Sequence, residues 1–339
     1  MNISLQKLPK SEIELRVEIP AEEFRVLWEG GVREAGGEIE VKGFRKGMAP
    51  PEAVERALGN KMLLSRVAEY AVKKTYPKAL RDSGVEAIGA PNIEVTKLVR
   101  AGTPGEIGFA YRITVAVLPM IVLPDYAKIA RSIHHEPVKV EDREIEAALR
   151  WLQKSRAVPE ISDALAQSLG NFQNLAALRE SITTGLAAEK EEKERERWRL
   201  DVLDAIRQAA RPLEIPRVLV ENESRKMWEE YRASIAGAGL DIEEYLRSIG
   251  KSRETIIAEW EGEAEKRVAY GLILQAIAGK ENIEVSKEEI EARANEHLRR
   301  LSSPEEAERA VDPGVLFVYT KGTLENEEVF HRLEEYAKQ

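Results

Sequence analysis

Apolar residues alternate with polar ones at Ile13, Leu15, Val17 and Ile19, the period of a strand with one buried face. Pro20 ends that alternation. Phe24, Leu27, Trp28 and Val32 then recur at helical spacing, which predicts a helix opening just after the proline. A short helix beginning at Pro51 and a longer one over 61–81 follow. Phe109, Tyr111, Ile113, Val115 and Val117 restore the alternation, and this predicts a strand pairing with 92–98 across a turn at 102–108. A small sheet with helices on one face would bury all of these positions.

Beyond residue 120 the period changes. The stretch 123–140 is mixed in polarity and carries Pro124 and Pro137, so it reads as extended linker; a helix over 141–155 follows, with Ile145, Leu149 and Leu152 on one side. From 158 onward the pattern is helical almost throughout. A long helix over 175–208 is charged all round at 190–197 and regains an apolar side at Trp198, Leu200, Val202, Leu203 and Ile206. Pro212 stops it, Pro216 starts the next helix, and Gly237 and Gly239 end that one. Residues 256–278, apolar nearly all round after Val268, predict a central buried helix. Ser286 with Glu289 three residues on forms a capping-box pattern. Two helical hairpins, over 170–235 and 286–335, are expected to project as arms. The fold class expected is α+β: a small amino-terminal α+β domain over 1–122, a linker with a helix over 123–157, and an all-α body with helical arms over 158–339.

One loop carries candidate chemistry. Gly43, Phe44, Arg45, Lys46 and Gly47, followed by Pro50 and Pro51, set an aromatic and two cations between glycines. The glycines permit positive φ and a tight turn, and the prolines keep the loop from continuing as a strand. Guanidinium and ammonium groups pair with phosphates, and Phe44 can wedge against a base or an apolar pocket. Read from these residues alone, an ordinary turn with solvated cations remains open.

The loop and its surroundings resemble bacterial trigger factor, the ribosome-associated chaperone family, whose docking tip is Gly-Phe-Arg-x-Gly-x-x-Pro. Gly43, Phe44, Arg45, Gly47 and Pro50 match that motif. The resemblance continues through the helix from Lys61, the strand ending before Pro119, and Glu265, Lys266, Arg267 and Val268 leading to Ala278. It implies docking on the large ribosomal subunit, on rRNA and an exit-tunnel protein, through Gly43, Phe44, Arg45, Lys46, Gly47 and Pro50. It also implies shielding of apolar segments of nascent and unfolded chains, no cofactor, and a weak homodimer off the ribosome. Candidate client contacts are Met227, Trp228, Tyr231, Phe317 and Tyr319, although Trp and Met at helical spacing serve as readily in core packing.

The resemblance has a gap. Family members usually insert a prolyl isomerase domain of roughly a hundred residues after the helix at 141–155, within the usual domain range. Here Gln153, Lys154, Ser155, Arg156 and Ala157 run directly into Val158 and Pro159. The isomerase domain is therefore expected to be missing, and no enzymatic activity is expected. A ribosome-independent helical holdase or assembly chaperone stands as the alternative, and a prolyl isomerase as a third.

Composition and charge sharpen two points. The 339 residues include no cysteine, which rules out disulfides and thiolate metal sites. The net charge of −9 is unevenly spread: residues 1–120 balance at +2, and the span 42–81 holds ten cations against Glu52, Glu55 and Glu69. A local excess of that kind on an acidic chain reads as a dock for polyanion, with a solvated helix face as the plainer reading. The first residues lack the apolar core of a signal peptide, and the longest apolar run, 272–278, is too short to span a bilayer, so a cytoplasmic protein is expected. His134 and His135 are adjacent on extended chain, point to opposite sides and cannot easily share a metal; they are expected to be solvated, as are His297 and His331. No dinucleotide fingerprint, P-loop or nucleophile elbow occurs.

Overall fold

The structure, a computed structural model, describes residues 1–45, 47–99, 106–170, 172–210, 213–299 and 312–338. Lys46, the turn at 102–105, the helix stop at Pro212 and the side chain of His297 lie outside the described residues. The chain divides into two compact units, one of Met1–Met120 with Pro212–Ala269, the other of Ile121–Arg211 with Tyr270–Gln339.

In the first unit, strands β1 (Asn2–Leu8), β2 (Glu12–Pro20), β3 (Ala87–Leu98) and β4 (Ile107–Val117) form one antiparallel sheet in the order β1-β2-β4-β3. Leu15, Val17 and Ile19 pair in register with Ile113, Tyr111 and Phe109, so one face of the sheet is continuous hydrocarbon. Helices α1 (Ala21–Glu38), α2 (Pro51–Leu58) and α3 (Asn60–Ser83) cover that face through Phe24, Trp28, Val54, Leu63 and Val67. Phe24 stacks on Phe109 at 5.0 Å and meets Trp28 edge-on at 6.1 Å. Glycine at 31 is what lets α1 and α3 approach: a Cβ there would sit 3.0 Å from the Cα of Val67.

The β1–β2 hairpin was hidden in the sequence. Its turn places Lys10 and Ser11 at φ of 58° and 52° without glycine or asparagine, a conformation that disfavours residues with a Cβ. Glu214 supports it, accepting the Lys10 amide on its carboxylate at 2.7 Å and the Ser11 hydroxyl on its carbonyl at 2.8 Å. The rest of this unit includes α8 (Arg217–Gly237), α9 (Ile242–Ile249) and α10 (Arg253–Glu259), packed around Trp228, Leu246 and Ile256.

The second unit contains α4 (Tyr126–Ser132), α5 (Asp142–Arg156), α6 (Asp163–Ser168), α7 (Leu175–Ala209), α12 (Lys287–Arg299) and α13 (Pro313–Ala337). Helix α11 (Glu261–Glu281) contributes its last two turns and more to this unit, beginning at Tyr270. Its core gathers Tyr126, Trp198, Val202, Ile206, Ile273, Ile277, Val329 and Leu333. A second cluster forms around Leu149, Leu165 and Leu178. Ser286 and Glu289 exchange the reciprocal cap bonds that their spacing predicts, at 3.1 and 3.2 Å.

Three expectations need correction. The linker is not extended throughout, because Asp125 accepts the Lys128 amide at 3.0 Å and starts α4, which buries Tyr126 and Ala130. The helix expected over 256–278 is broken at Trp260, where α10 stops and α11 begins. His135 is not merely solvated: its ring stacks on Trp198 at 4.9 Å, with Nδ1 3.9 Å from Glu194. Residues 170–235, expected as one hairpin, are shared, with α7 in the second unit and α8 in the first.

A carboxylate fastens three helices of the second unit. Glu281 accepts hydrogen bonds from the hydroxyls of Tyr126 at 2.5 Å and Tyr336 at 2.9 Å, joining α11 to α4 and α13. The bond from Tyr126, then that from Tyr336 and the nearby Arg332, hold this carboxyl below its ordinary range despite partial burial. A lowered folded value stabilises the fold above the ordinary carboxylate range, and that stability is lost as pH falls through the lowered value. Glu281→Gln should therefore cost about 1–3 kcal/mol at neutral pH and flatten the acid limb of a stability-against-pH curve below about pH 4. Urea titrations of both proteins between neutral and acid pH provide the check; an unchanged acid limb would remove Glu281 from this role.

Candidate functional site

The loop between α1 and α2 is built from two tandem turns. The Phe44 amide donates to the Val41 carbonyl at 3.0 Å, and the Met48 amide to the Arg45 carbonyl at 2.9 Å. Gly43 and Gly47 occupy the third position of each turn at φ of 92° and 81°, where a side chain would be strained. Pro50 then leads into α2, which carries Pro51 in its first turn. The two reversals push the intervening residues outward: Phe44 is 47% exposed and Arg45 is exposed. Met48, at 74% exposure, adds an apolar contact that the motif did not single out.

Behind the loop lies a cavity of about 530 Å³ lined by Trp28, Val32, Gly36, Met48, Pro51 and Val54. Gly36 has no room for a Cβ, which would fall 2.9 Å from Val54 Cγ2, so α2 sits directly against α1 and fixes the base of the loop. The loop is thus a rigidly anchored tip, not a strap.

The nine described cations of 42–81 are all exposed, yet they do not act alike. Arg66 lies 3.3 Å from Glu38 and Lys73 lies 3.9 Å from Glu34, both acids of α1. These contacts neutralise part of the middle of α3. The sequence count had no access to them, because the acids come from a different helix. Arg56 donates to the Glu52 carbonyl at 3.2 Å, and Lys74 sits 5.5 Å from the centre of the Tyr70 ring.

The client-contact candidates separate into two groups. Met227 and Trp228 are buried, and the guanidinium of Arg253 lies 5.3 Å over the Trp228 ring. Tyr231 is half-buried, edge-on to Trp260 at 5.2 Å, and its hydroxyl is pushed up to about 12 by its hydrogen bond with Tyr245 and by burial. Helical spacing identified this face but not what covers it, which is α9 and α10. On α13, by contrast, Phe317 is half-buried and Tyr319 exposed, and Val315 and Val318 beside them are exposed as well.

Sequence models of known families give the deciding comparison. The bacterial trigger factor protein matches residues 1–152 and the bacterial trigger factor C-terminus matches 174–316. The chain belongs to the bacterial trigger factor family. Relatives bearing that name include those of Halothermothrix orenii, 23% identical over 393 aligned residues covering 87% of this chain and 90% of the relative, and Agathobacter rectalis, 23% identical over 386 residues covering 86% of each. The trigger factor of Carboxydothermus hydrogenoformans is 22% identical over 387 residues, covering 86% of this chain and 89% of its own. These alignments are longer than the 339 residues of the chain, so the relatives carry segments that this trigger factor lacks. A solved chain, from work on promiscuous substrate recognition in folding and assembly activities of the trigger factor chaperone, shares the fold at a TM-score of 0.59 and 18% identity, covering 98% of this chain and 99% of its own. Membership brings with it a ribosome-associated chaperone function. Among the described residues no helix of this trigger factor is long and apolar enough to cross a membrane.

Proposed function

We propose that this trigger factor docks on the large ribosomal subunit through residues 43–50 and shields apolar segments of emerging chains, as a cytoplasmic protein that is partly ribosome-bound. One observation carries the reading: the tandem turns at Gly43 and Gly47 hold Phe44 and Arg45 outward on an anchored base. Arg45 and Lys46 pair with rRNA phosphates, while Phe44 and Met48 enter an apolar recess or stack on a base. Gly43, Gly47 and Pro50 shape the loop without touching the partner. Co-sedimentation of the full chain with ribosomes, weakening as salt rises, tests the reading and separates it from a holdase working free of ribosomes.

Clients are held by dispersed apolar side chains set among charges, which bind many sequences weakly and release them. The start of α13, with Val315, Phe317, Val318 and Tyr319, has that character, whereas Met227, Trp228 and Tyr231 serve in packing. Val315→Glu, Val318→Glu and Tyr319→Glu together should raise the concentration needed to suppress aggregation of a denatured client by about tenfold, on the scale of a few buried side chains. Unaltered protection by this variant would move the client surface elsewhere.

The protein has no prolyl isomerase activity. Support comes from the short interval between the two family matches, residues 153–173, which α5 and α6 largely occupy. Cis/trans exchange of a proline tetrapeptide should proceed at its uncatalysed rate, over tens to hundreds of seconds at about 25 °C, in the presence of the pure protein. Acceleration proportional to protein concentration would contradict this.

A further inference from the structure

An apolar groove of about 650 Å³ runs along the edge of the first unit, between α3 and the edge strand β3. Leu64, Val72 and Tyr76 line one wall, and Ile93, Val95 and Leu98 the other. The helical layer stops short of this edge, so Val95, which pairs with buried Tyr111 and belongs to the inner face of the sheet, is 43% exposed. Two charged residues rim the groove, Glu69 and Lys73, one turn apart on α3. Their own ion pairs are long and exposed, Glu69 at 3.7 Å from Arg66 and Lys73 at 3.9 Å from Glu34, and hold neither side chain tightly.

We infer that a second copy of this chain covers the groove, in a two-fold dimer built on α3. The argument is self-complementarity. A two-fold axis lying in the face, at right angles to α3, sets the helix antiparallel on its copy. Glu69 then meets Lys73 of the second copy, and Lys73 meets its Glu69, so one contact is made twice, as an isologous interface requires. The same operation sets Leu64 against Tyr76 and Ala68 against Val72 of the second copy, large against large and small against medium. An apolar client segment would fill the groove without using this charge order. A single groove is small beside the roughly 1,600 Å² of a standard interface, so the association is weak and reversible. It gives the weak homodimer expected off the ribosome a specific surface, and it rests on neither the docking tip nor the client surface.

Sedimentation velocity of the full chain without ribosomes, over a concentration series, tests the inference. The natural chain should show a monomer–dimer equilibrium. Glu69→Lys and Lys73→Glu should each raise its dissociation constant on the order of tenfold, because each places like charges together twice. The double variant Glu69→Lys/Lys73→Glu should return to the natural value, and Val95→Glu should abolish the dimer with circular dichroism unchanged. A chain that stays monomeric, or one that takes up an apolar peptide at the groove without self-association, would overturn the inference. So would a dimer indifferent to all four variants, since another surface would then be responsible. Because ribosomes are absent, none of these failures bears on docking.

Discussion

Replacing Phe44, Arg45 and Lys46 together by alanine should reduce ribosome binding at least about a hundredfold while leaving the fold intact. Loss of aromatic stacking costs about 1–3 kcal/mol, and each charge-assisted bond to phosphate about 1.5–3 kcal/mol. Even the low end of that sum exceeds the roughly 2.7 kcal/mol that corresponds to a hundredfold. The fold is spared because Phe44 and Arg45 face solvent and the turns depend on Gly43 and Gly47, which remain. A graded series gives a finer check. Arg45→Lys keeps the charge but loses the planar fork, so it should weaken binding less than Arg45→Ala. The variant should also show a shallower salt dependence, since two phosphate contacts have gone. Co-sedimentation and far-ultraviolet circular dichroism measure the two halves of the prediction.

Trp198→Ala should be the most damaging single change to the second unit, at about 3–5 kcal/mol. The side chain is fully buried among Tyr126, Val202, Ile206, Ile273 and Val329, where no neighbour can collapse to fill its volume. Its indole N–H donates to the Ile133 carbonyl at 2.8 Å, and the His135 ring stacks on it, so the same residue also ties down the chain after α4. Trp198→Phe retains most of the volume but loses the donor and should cost about 1–2 kcal/mol. Chemical denaturation followed by near-ultraviolet dichroism would show the ordering; equal effects of the two substitutions would mean that the hydrogen bond, not the packing, dominates.

The parts of this protein that rest on local chemistry were legible in its sequence. The tip was readable because turns of this kind need glycine at fixed positions, and Gly43 and Gly47 stand there. Helix α3 was placed within a few residues, since Leu63, Val67 and Ala71 keep one face and Gly84, at φ of 64°, ends it. Helix α10 was merged with α11 because no glycine or proline marks the break at Trp260. The β1–β2 hairpin escaped because its turn is stabilised from outside, by Glu214, two hundred residues away in sequence. Met227 and Trp228 show the limit most clearly. Periodicity says that a face is apolar, but whether α9 and α10 or a client covers it is a tertiary fact. The basic span 42–81 is the same kind of case, because Glu34 and Glu38 reduce its field from across the helix pair.

Docking through the tip is most directly tested by photo-cross-linking from position 44. With Phe44 replaced by a benzoylphenylalanine, illumination of the ribosome-bound protein should give adducts with rRNA or protein of the large subunit. The adducts should disappear when Arg45 and Lys46 are also replaced by alanine. Ribosome binding that persists without any adduct from position 44, or the same adducts from a probe placed at Tyr319, would contradict the account.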